Sequence, residues 1–391
     1  MTYLNKNKSL TTLAVMTLFF LLPGMGIVNT AIQNITEAFP QVDHNTILLI
    51  STLPSLIMIP FSILSGTVVG SLIKYRTLVL LGVALYVVGG LAPVCLNDFT
   101  WILIFRGIFG IGFGIMFPLG NALILKLFDG QIRIKMVGLS NVIVCIGGIV
   151  LQLLGAALCS ISWRYTFLAY IFGIISLVIV FLYLPNPEKE ETLSAKRVII
   201  PNRVYGLAII LVLCGIFVNP IMLNMSPIII DGNLGNSSSV GIVLSMFTVG
   251  GILTSLVFGR LYNLMTKLTI VVGMIILASG LAFIFYGSNL WLLTIGSTIA
   301  GGGFFAILPA AMLDMAKITK PQGFALASGI LIAALNIGNF LSPYYMDILI
   351  KVTGQSSLKF PMFIGMIFIV VISAIYTFIN LKTVPEDKMS I

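Results

Sequence analysis

Long apolar stretches separated by short polar connections occur along the whole chain. About twelve of them reach the length of roughly 20 residues that an α-helix needs to cross a lipid bilayer. They lie at about 10–35, 46–69, 77–96, 101–125, 137–159, 164–184, 204–229, 240–262, 268–287, 291–313, 323–345 and 361–381. The pattern therefore predicts an all-α integral membrane protein with twelve transmembrane helices.

Glycines and prolines in the two halves of the chain recur at a nearly fixed separation. The matched positions, 191 residues apart, are Gly110 and Gly301, Gly112 and Gly303, Pro118 and Pro309, Gly138 and Gly329, and Gly147 and Gly338. This recurrence predicts a duplicated unit with two pseudo-symmetric six-helix bundles, at 1–185 and 204–391. The polar stretch 186–203 would be the cytoplasmic linker between them. Parallel repeats of this kind place a substrate path between the two halves.

Composition and charge agree with a membrane protein and exclude some partners. Only 8% of the 391 residues are charged, against roughly 25% in a soluble domain. With a cytoplasmic amino terminus, 17 of the 21 basic residues face inward, three face outward, and Arg106 lies within the membrane. This bias follows the positive-inside rule and predicts that both termini are cytoplasmic. The net charge of +9 thus reports topology, and a nucleic-acid partner is excluded as its explanation.

Arg106 lies well inside the fourth apolar stretch, Trp101 to Leu125. A charge at that depth costs roughly 2.5 to 3.5 kcal/mol on insertion scales, so it should face protein or water. Together with uncharged polar residues in other spans it forms the predicted substrate cavity, which comprises Asn29, Gln33, Arg106, Asn219, Asn224 and Asn336. Two simpler interpretations stay open: the amides bond neighbouring helices, and Arg106 pairs with carbonyl groups and only fixes packing.

The acidic residues all lie near the ends of the predicted spans. Glu37 and Asp314 are the closest to the membrane, so with Arg106 they are the candidates for carrying a coupling proton. With one histidine and no acid deep in a span, the sequence offers no catalytic residues and no metal site, and we predict neither enzyme activity nor a cofactor. It also has no nucleotide-binding glycine loop, which leaves ion gradients as the energy source.

Three motifs resemble those of the major facilitator superfamily. Arg106, Gly110 and Gly114 resemble its Arg-x-x-x-Gly pattern in the fourth helix, and Gly66, Lys74 and Arg76 resemble its loop after the second helix. The fifth span is similar to the signature of its drug:proton antiporters and keeps three glycines of that signature. These are Gly138, Gly147 and Gly155. Leu151 and Gln152 replace the signature's Gly-Pro pair.

This resemblance implies a monomeric secondary transporter in the cytoplasmic membrane of a bacterium. It would move a small organic molecule by alternating access, with protons as the coupling ion and export of amphipathic or drug-like compounds as the direction. The glycines and cations of the three motifs would serve its conformational change. Two alternatives stay open: transport of a small organic anion with Arg106 as counter-charge, and lipid flipping by the same fold. A multi-pass sensor is disfavoured, because the longest polar stretch is a linker of about 19 residues.

Overall fold

The computed structural model of the protein describes residues 2–69, 72–128, 130–186, 200–319 and 324–382. Within these residues the chain forms thirteen α-helices. They are α1 (Thr2–Leu21), α2 (Ile32–Ala38), α3 (His44–Val68), α4 (Tyr75–Leu91), α5 (Phe99–Leu127), α6 (Gly130–Cys159), α7 (Phe172–Tyr183), α8 (Asn202–Ile230), α9 (Ser237–Met265), α10 (Thr269–Tyr286), α11 (Leu290–Ile318), α12 (Phe324–Thr353) and α13 (Phe360–Lys382). Most of the predicted linker, 187–199, lies outside the described residues.

Twelve helical segments of the described chain are long and apolar enough to cross a membrane, which confirms the predicted fold class. Several helices extend beyond the apolar stretch that predicted them. The fifth span, for example, was expected from residue 137, but α6 begins at Gly130 and includes Arg133 and Lys135. Hydropathy locates the part of a helix at bilayer depth, whereas backbone hydrogen bonding continues into the polar region beyond it.

Two spans contain long 3₁₀ stretches, of ten and nine residues, instead of continuous α-helix. In the first span, Leu22–Ala31 forms a 3₁₀ helix between α1 and α2 and has Pro23 in its first turn. In the sixth span, the 3₁₀ stretch Trp163–Ile171 precedes α7. Runs of 3₁₀ helix longer than three or four residues are uncommon, and a 3₁₀ stretch within a helix often marks a hinge. These two stretches are therefore candidates for hinges.

Contacts divide the chain into two compact units. The first comprises Met1–Arg197 and Met225–Ser245, and the second comprises Val198–Asn224 and Met246–Ile391. Thus the segment Met225–Ser245, which the sequence assigned to the second bundle, packs with the first unit. It contains the end of α8 and the beginning of α9. We call it the elbow segment.

The glycines of α5 let two neighbouring helices approach its backbone on different sides. A Cβ atom added to Gly110 would lie 2.9 Å from Cα of Pro54, and one added to Gly114 would lie 2.6 Å from the carbonyl oxygen of Met58, both on α3. On Gly112 it would lie 2.6 Å from the carbonyl oxygen of Gly82, on α4. Residues two apart point to different sides of a helix, so alternate glycines serve different neighbours.

The second unit repeats this packing at the positions that the sequence matched. A Cβ atom on Gly301 would clash with the backbone of Phe247 on α9, and one on Gly303 would lie 2.5 Å from the carbonyl oxygen of Gly273 on α10. Gly110 and Gly301 therefore face equivalent helices within their own units, as do Gly112 and Gly303. The recurrence of glycines in the sequence thus corresponds to a recurrence of close helix contacts.

The remaining motif glycines differ in what surrounds them. A Cβ atom on Gly147 would lie 2.5 Å from the carbonyl oxygen of Phe20, and one on Gly155 would lie 2.6 Å from the side chain of Ile27. Gly138 and Gly66 have nothing within 4 Å in that direction. Close helix approach therefore explains Gly147 and Gly155 but does not explain Gly138 or Gly66.

Candidate functional site

The side chain of Arg106 on α5 is completely buried in the first unit. Its Nε donates to the carbonyl oxygen of Ile50 at 2.7 Å, and its Nη1 donates to the Tyr170 hydroxyl at 2.9 Å. The guanidinium carbon also lies 4.4 Å from the centre of the Phe109 ring, within the range of a cation–π contact. Its Nη2 has no hydrogen-bond partner among the described residues. Arg106 is therefore held by a carbonyl, a phenol and a ring face.

The carbonyl that Arg106 binds lacks its usual helical hydrogen-bond donor because of a proline. In an α-helix the carbonyl of residue i accepts from the N–H of residue i+4, and proline has no N–H. Pro54 lies inside α3 four residues after Ile50, so the helix itself cannot satisfy the Ile50 carbonyl. Arg106 supplies the missing donor, and Gly110, one turn later on α5, gives the backbone at Pro54 room to approach.

Tyr170 connects Arg106 to the irregular part of the first span. Its hydroxyl accepts from Arg106 and donates to the carbonyl oxygen of Gly24 at 2.9 Å. Tyr86 on α4 adds a second anchor, because its hydroxyl donates to the carbonyl oxygen of Leu21 at 3.2 Å. Tyr170 thus joins both 3₁₀ stretches to α5. Tyr86 joins α4 to Leu21, the last residue before the first 3₁₀ stretch.

Next to this network lie buried amides. Asn29, in the first 3₁₀ stretch, accepts from the Ser51 hydroxyl at 2.5 Å. Gln152, on α6, is 7% exposed, and its Oε1 has no partner among the described residues. A Cβ atom on Gly26 would lie 3.2 Å from Nε2 of Gln152. Nδ2 of Asn29 would lie 3.7 Å from the same Cβ atom, so Asn29 and Gln152 place their amide groups side by side next to Gly26.

The elbow segment packs against the rest of the first unit through buried apolar residues, such as Ile229 and Val243, and through hydrogen bonds to Gln33 and Asn34. The Gln33 backbone N–H donates to the Ser226 hydroxyl at 3.3 Å, and its Nε2 donates to Oδ1 of Asp231 at 2.7 Å. Asn34 Oδ1 accepts from the Ser237 hydroxyl at 3.2 Å. Gln33, predicted as a substrate contact, thus forms hydrogen bonds to the elbow segment in this structure.

Two carboxylates meet at this attachment. Nε2 of Gln33 also donates to Oε1 of Glu37, at 3.2 Å, so one amide group bridges Glu37 and Asp231. Partial burial and the nearby negative charge of Glu37 raise the pKa of the Asp231 carboxyl above its ordinary value. A like charge next to a carboxylate favours its protonated form. Glu37 therefore has an acidic partner that the sequence did not reveal.

In the second unit the three predicted asparagines do not bond to each other. Nδ2 of Asn219 donates to the carbonyl oxygen of Asn339 at 2.8 Å, and Nδ2 of Asn224 donates to that of Leu358 at 2.8 Å. Nδ2 of Asn336 bonds within its own helix, to Ile332 at 2.9 Å. Each thus satisfies a backbone carbonyl. Asn224 also has a buried Oδ1 with no partner among the described residues.

Asp314, at the end of α11, belongs to a different cluster. The Tyr262 hydroxyl on α9 donates to its Oδ1 at 2.9 Å, and Nζ of Lys317 lies 3.9 Å away. Lys317 also lies 4.8 Å from the Tyr262 ring centre. Asp314 is therefore already paired with a cation and a phenol at the helix end, which weakens its case as the residue that carries the coupling proton.

Sequence reasoning missed several of these partners. The orphan carbonyl of Ile50 had a readable signal, because Pro54 follows it by four residues within a span. Tyr170 and Asp231 had none, since nothing in a single sequence shows which helices are neighbours. Further buried polar atoms of the spans lack partners among the described residues, as Arg106 Nη2 does. They include Gln152 Oε1, Asn224 Oδ1, Ser245 Oγ and Ser297 Oγ.

The chain is similar to known transporters. A family model described as Major Facilitator Superfamily matches residues 10–229 and 207–390. A bacterial homologue of the human lysosomal transporter Spinster, solved inward-facing and unoccupied, superposes with a TM-score of 0.78 at 17% identity, covering 98% of this chain and 99% of that one. No curated protein sequence matches the chain at a significant level.

Two other solved structures have a similar fold. For a nucleoside transporter the TM-score is 0.76 at 11% identity, with 95% of this chain and 98% of that one covered. For a D-xylose-proton symporter it is 0.73 at 17% identity, with 96% and 98% covered. At such identities the likeness concerns the fold, and the substrates of these proteins differ from one another.

Proposed function

Since this chain belongs to the Major Facilitator Superfamily and is therefore a multi-pass membrane transporter, we propose that it exports an amphipathic or drug-like organic solute in exchange for protons. The solute would pass by alternating access between the two pseudo-symmetric halves. Both termini would be cytoplasmic, and the protein would act as a monomer in the cytoplasmic membrane of a bacterium.

The observation that carries this proposal is the set of buried polar atoms without partners. Gln152 Oε1, Asn224 Oδ1 and the hydroxyls of Ser245 and Ser297 are buried within predominantly apolar membrane spans. Buried polar groups are normally hydrogen-bonded, so each exception calls for an explanation. Bonding to a solute during transport provides one. Uncharged amide and hydroxyl groups in an apolar surround favour a largely apolar molecule with a few hydrogen-bonding groups.

For the coupling proton we favour Glu37 over Asp314 and Arg106. Glu37 shares the amide group of Gln33 with Asp231, at the attachment of the elbow segment. A proton taken up by this pair would remove the repulsion between two carboxylates, and its release would restore that repulsion. Asp314 is paired with Lys317 and Tyr262, and the guanidinium of Arg106 is bonded to Ile50 and Tyr170.

A second candidate function is transport of a small organic anion. It is favoured by Nη2 of Arg106, a buried guanidinium nitrogen without a partner among the described residues. Against it, the other contacts of Arg106 are satisfied by Ile50, Tyr170 and Phe109, and the side chain has no exposed surface. An anion would reach it only after these helices separate.

Transport into proteoliposomes tests both functions. The purified full chain is reconstituted, and uptake of amphipathic cations, neutral amphipaths and small organic anions is measured under an imposed pH gradient and, separately, an imposed voltage. We expect the pH gradient to drive an amphipathic solute. Gln152→Leu should raise the KM for it about two- to tenfold, as expected for the loss of one hydrogen bond. Gln355→Leu, in an exposed position outside the spans, is the matched control.

The results separate the two candidates. If the uptake rate of the amphipathic solute is the same with and without the pH gradient, proton exchange is refuted. Uptake of organic anions, abolished by Arg106→Gln with the protein still folded, would replace the first function by the second.

A further inference from the structure

An open apolar groove of about 540 Å³ lies between α4 and α7 in the first unit. Its walls are aliphatic and aromatic side chains, among them Leu81, Val178, Phe181 and Leu182, and each of these is about half exposed. Both helices belong to membrane spans, with mean hydropathies of 2.3 and 2.4. The groove therefore lies at a depth where acyl chains surround the protein.

One end of the groove carries positive charge. Arg76, in the first turn of α4, reaches across to α7, where its Nη2 donates to the carbonyl oxygen of Phe181. Its guanidinium carbon lies 5.5 Å from the centre of the Phe181 ring, which also lines the groove. The backbone N–H of Arg76 donates to Oδ1 of Asn186 at 3.3 Å. These contacts fix a guanidinium where the groove meets the end of the span.

This charge is not neutralised within the described residues. Arg76 uses one of its guanidinium nitrogens for Phe181, which leaves Nε and Nη1 available. Lys74 immediately precedes α4 and forms no ion pair with another described residue. Residues 44–97 and 130–187 contain no aspartate or glutamate. The acids that follow, Glu188, Glu190 and Glu191, lie outside the described residues and are accompanied in sequence by Lys189, Lys196 and Arg197.

We propose that the groove binds one acyl chain of an anionic phospholipid whose phosphate is held by Lys74 and Arg76. A guanidinium forms charge-assisted hydrogen bonds to phosphate oxygens, and basic residues at a membrane surface attract anionic headgroups. From Arg76 to Ala84, at the far part of the groove, α4 rises about 12 Å, which matches the upper part of an acyl chain below its headgroup. A second copy of this chain that packed through the same two helices would fill the apolar walls, but residues 44–97 and 130–187 would bring no acid to the two cations.

Binding is measured on the full chain by native mass spectrometry after exchange into phosphatidylglycerol or phosphatidylcholine with identical acyl chains. We expect at least threefold more retained phosphatidylglycerol than phosphatidylcholine. Lys74→Gln with Arg76→Gln should abolish this preference, whereas Lys135→Gln, an exposed lysine on α6, should leave it unchanged. Because Arg76 also ties α4 to α7, the single variant Lys74→Gln is tested as well and should lower the preference without loss of thermal stability.

A groove-filling variant tests the acyl-chain part separately. Val178→Trp adds bulk at a half-exposed position and should reduce retention of both lipids. Equal retention of the two lipids by the unchanged protein would overturn the proposal. So would a preference that survives loss of both cations, or a Val178→Cys variant in which two copies cross-link and lipid is excluded.

Discussion

At the scale of single residues, the buried arginine satisfies a defect in a neighbouring helix. Pro54 leaves the Ile50 carbonyl without its helical donor, and Nε of Arg106 donates to that carbonyl at 2.7 Å. An unpaired carbonyl in the hydrocarbon region costs several kcal/mol. The proline and the arginine are therefore energetically coupled even though they belong to different helices. This coupling explains an intramembrane guanidinium without requiring a bound anion.

A double-mutant cycle measures this coupling. Arg106→Met leaves the Ile50 carbonyl and the Tyr170 hydroxyl short of a partner, so it should destabilise the protein by about 1–3 kcal/mol for each group. Pro54→Ala restores an N–H four residues after Ile50, so Arg106→Met should cost less in that background. Thermal unfolding of the full chain in detergent gives the four stabilities required.

The control for the cycle is Arg203→Met, an exposed arginine at the start of α8, which should be nearly neutral in both backgrounds. Strict additivity of Pro54→Ala and Arg106→Met would mean that the two residues act independently.

At the scale of helices, glycine spacing in α5 encodes two interfaces. Gly110 and Gly114, four residues apart, face α3, while Gly112 between them faces α4. In membranes, where lipid is as apolar as the helices, association depends on close van der Waals packing, which small residues permit. A run of alternating glycines therefore specifies a helix packed on two sides. The same arrangement around Gly301 and Gly303 shows the duplication at the level of contacts.

Alanine substitutions distinguish the packing glycines from the others. Gly114→Ala places a Cβ atom 2.6 Å from the Met58 carbonyl oxygen, and overpacking of this kind should lower stability by about 1–3 kcal/mol. Gly138→Ala meets nothing within 4 Å, so the higher helix propensity of alanine should raise stability by up to about 1 kcal/mol. Thermal unfolding in detergent compares the two.

The second unit provides a replicate for this comparison. Gly303→Ala should behave like Gly112→Ala, because each glycine faces the equivalent helix, and Gly329→Ala should behave like Gly138→Ala. Equal effects of all four substitutions would show that glycine acts here through backbone flexibility and not through packing.

At the scale of the whole molecule, the elbow segment is where α8 and α9 join the first unit. Part of its attachment is polar: Ser226, Asp231 and Ser237 contact Gln33 and Asn34 through hydrogen bonds of 2.7 to 3.3 Å. Polar contacts of this kind exchange with water at little net cost, which suits a contact that forms and breaks during transport. Asp231, whose pKa is raised by partial burial and by the charge of Glu37, is the group of this contact that we expect to respond to pH.

The pKa shift of Asp231 predicts the direction of this sensitivity. Its pKa is raised above the ordinary value in this structure, so a form in which Asp231 has left Glu37 and entered water would bind the proton less tightly. The resulting stabilisation is fully present below the ordinary pKa of 3.8 and is lost as pH rises through the raised pKa. Hydrogen exchange of residues 225–236 in nanodiscs, corrected for intrinsic rates, should therefore increase with pH over that interval.

Asp231→Asn should remove this pH dependence, because the amide cannot titrate. Asp98→Asn, at an aspartate that caps α5 through Thr100 and Trp101, should preserve it. Exchange that responds to pH equally in all three proteins would place the titrating group elsewhere.

The sequence by itself determined the architecture. Apolar length, roughly 20 residues at a time, predicted the twelve spans because a bilayer imposes that length on every helix that crosses it. The glycine recurrence predicted the duplication, since close helix contacts demand small residues at fixed positions. Both are local or periodic properties of the chain. The insertion cost of a charge likewise indicated that Arg106 lies in the protein interior, where the structure places it.

Only the tertiary structure decided what each polar residue contacts. The sequence could not reveal that Arg106 bonds Ile50 and Tyr170, that Gln33 bridges Glu37 and Asp231, or that residues 225–245 pack with the first unit. The partners in these contacts are separated by as many as 198 residues in the chain. A single sequence carries no record of such proximity, because hydrogen-bond partners between helices are set by how the helices pack and not by the pattern along any one of them.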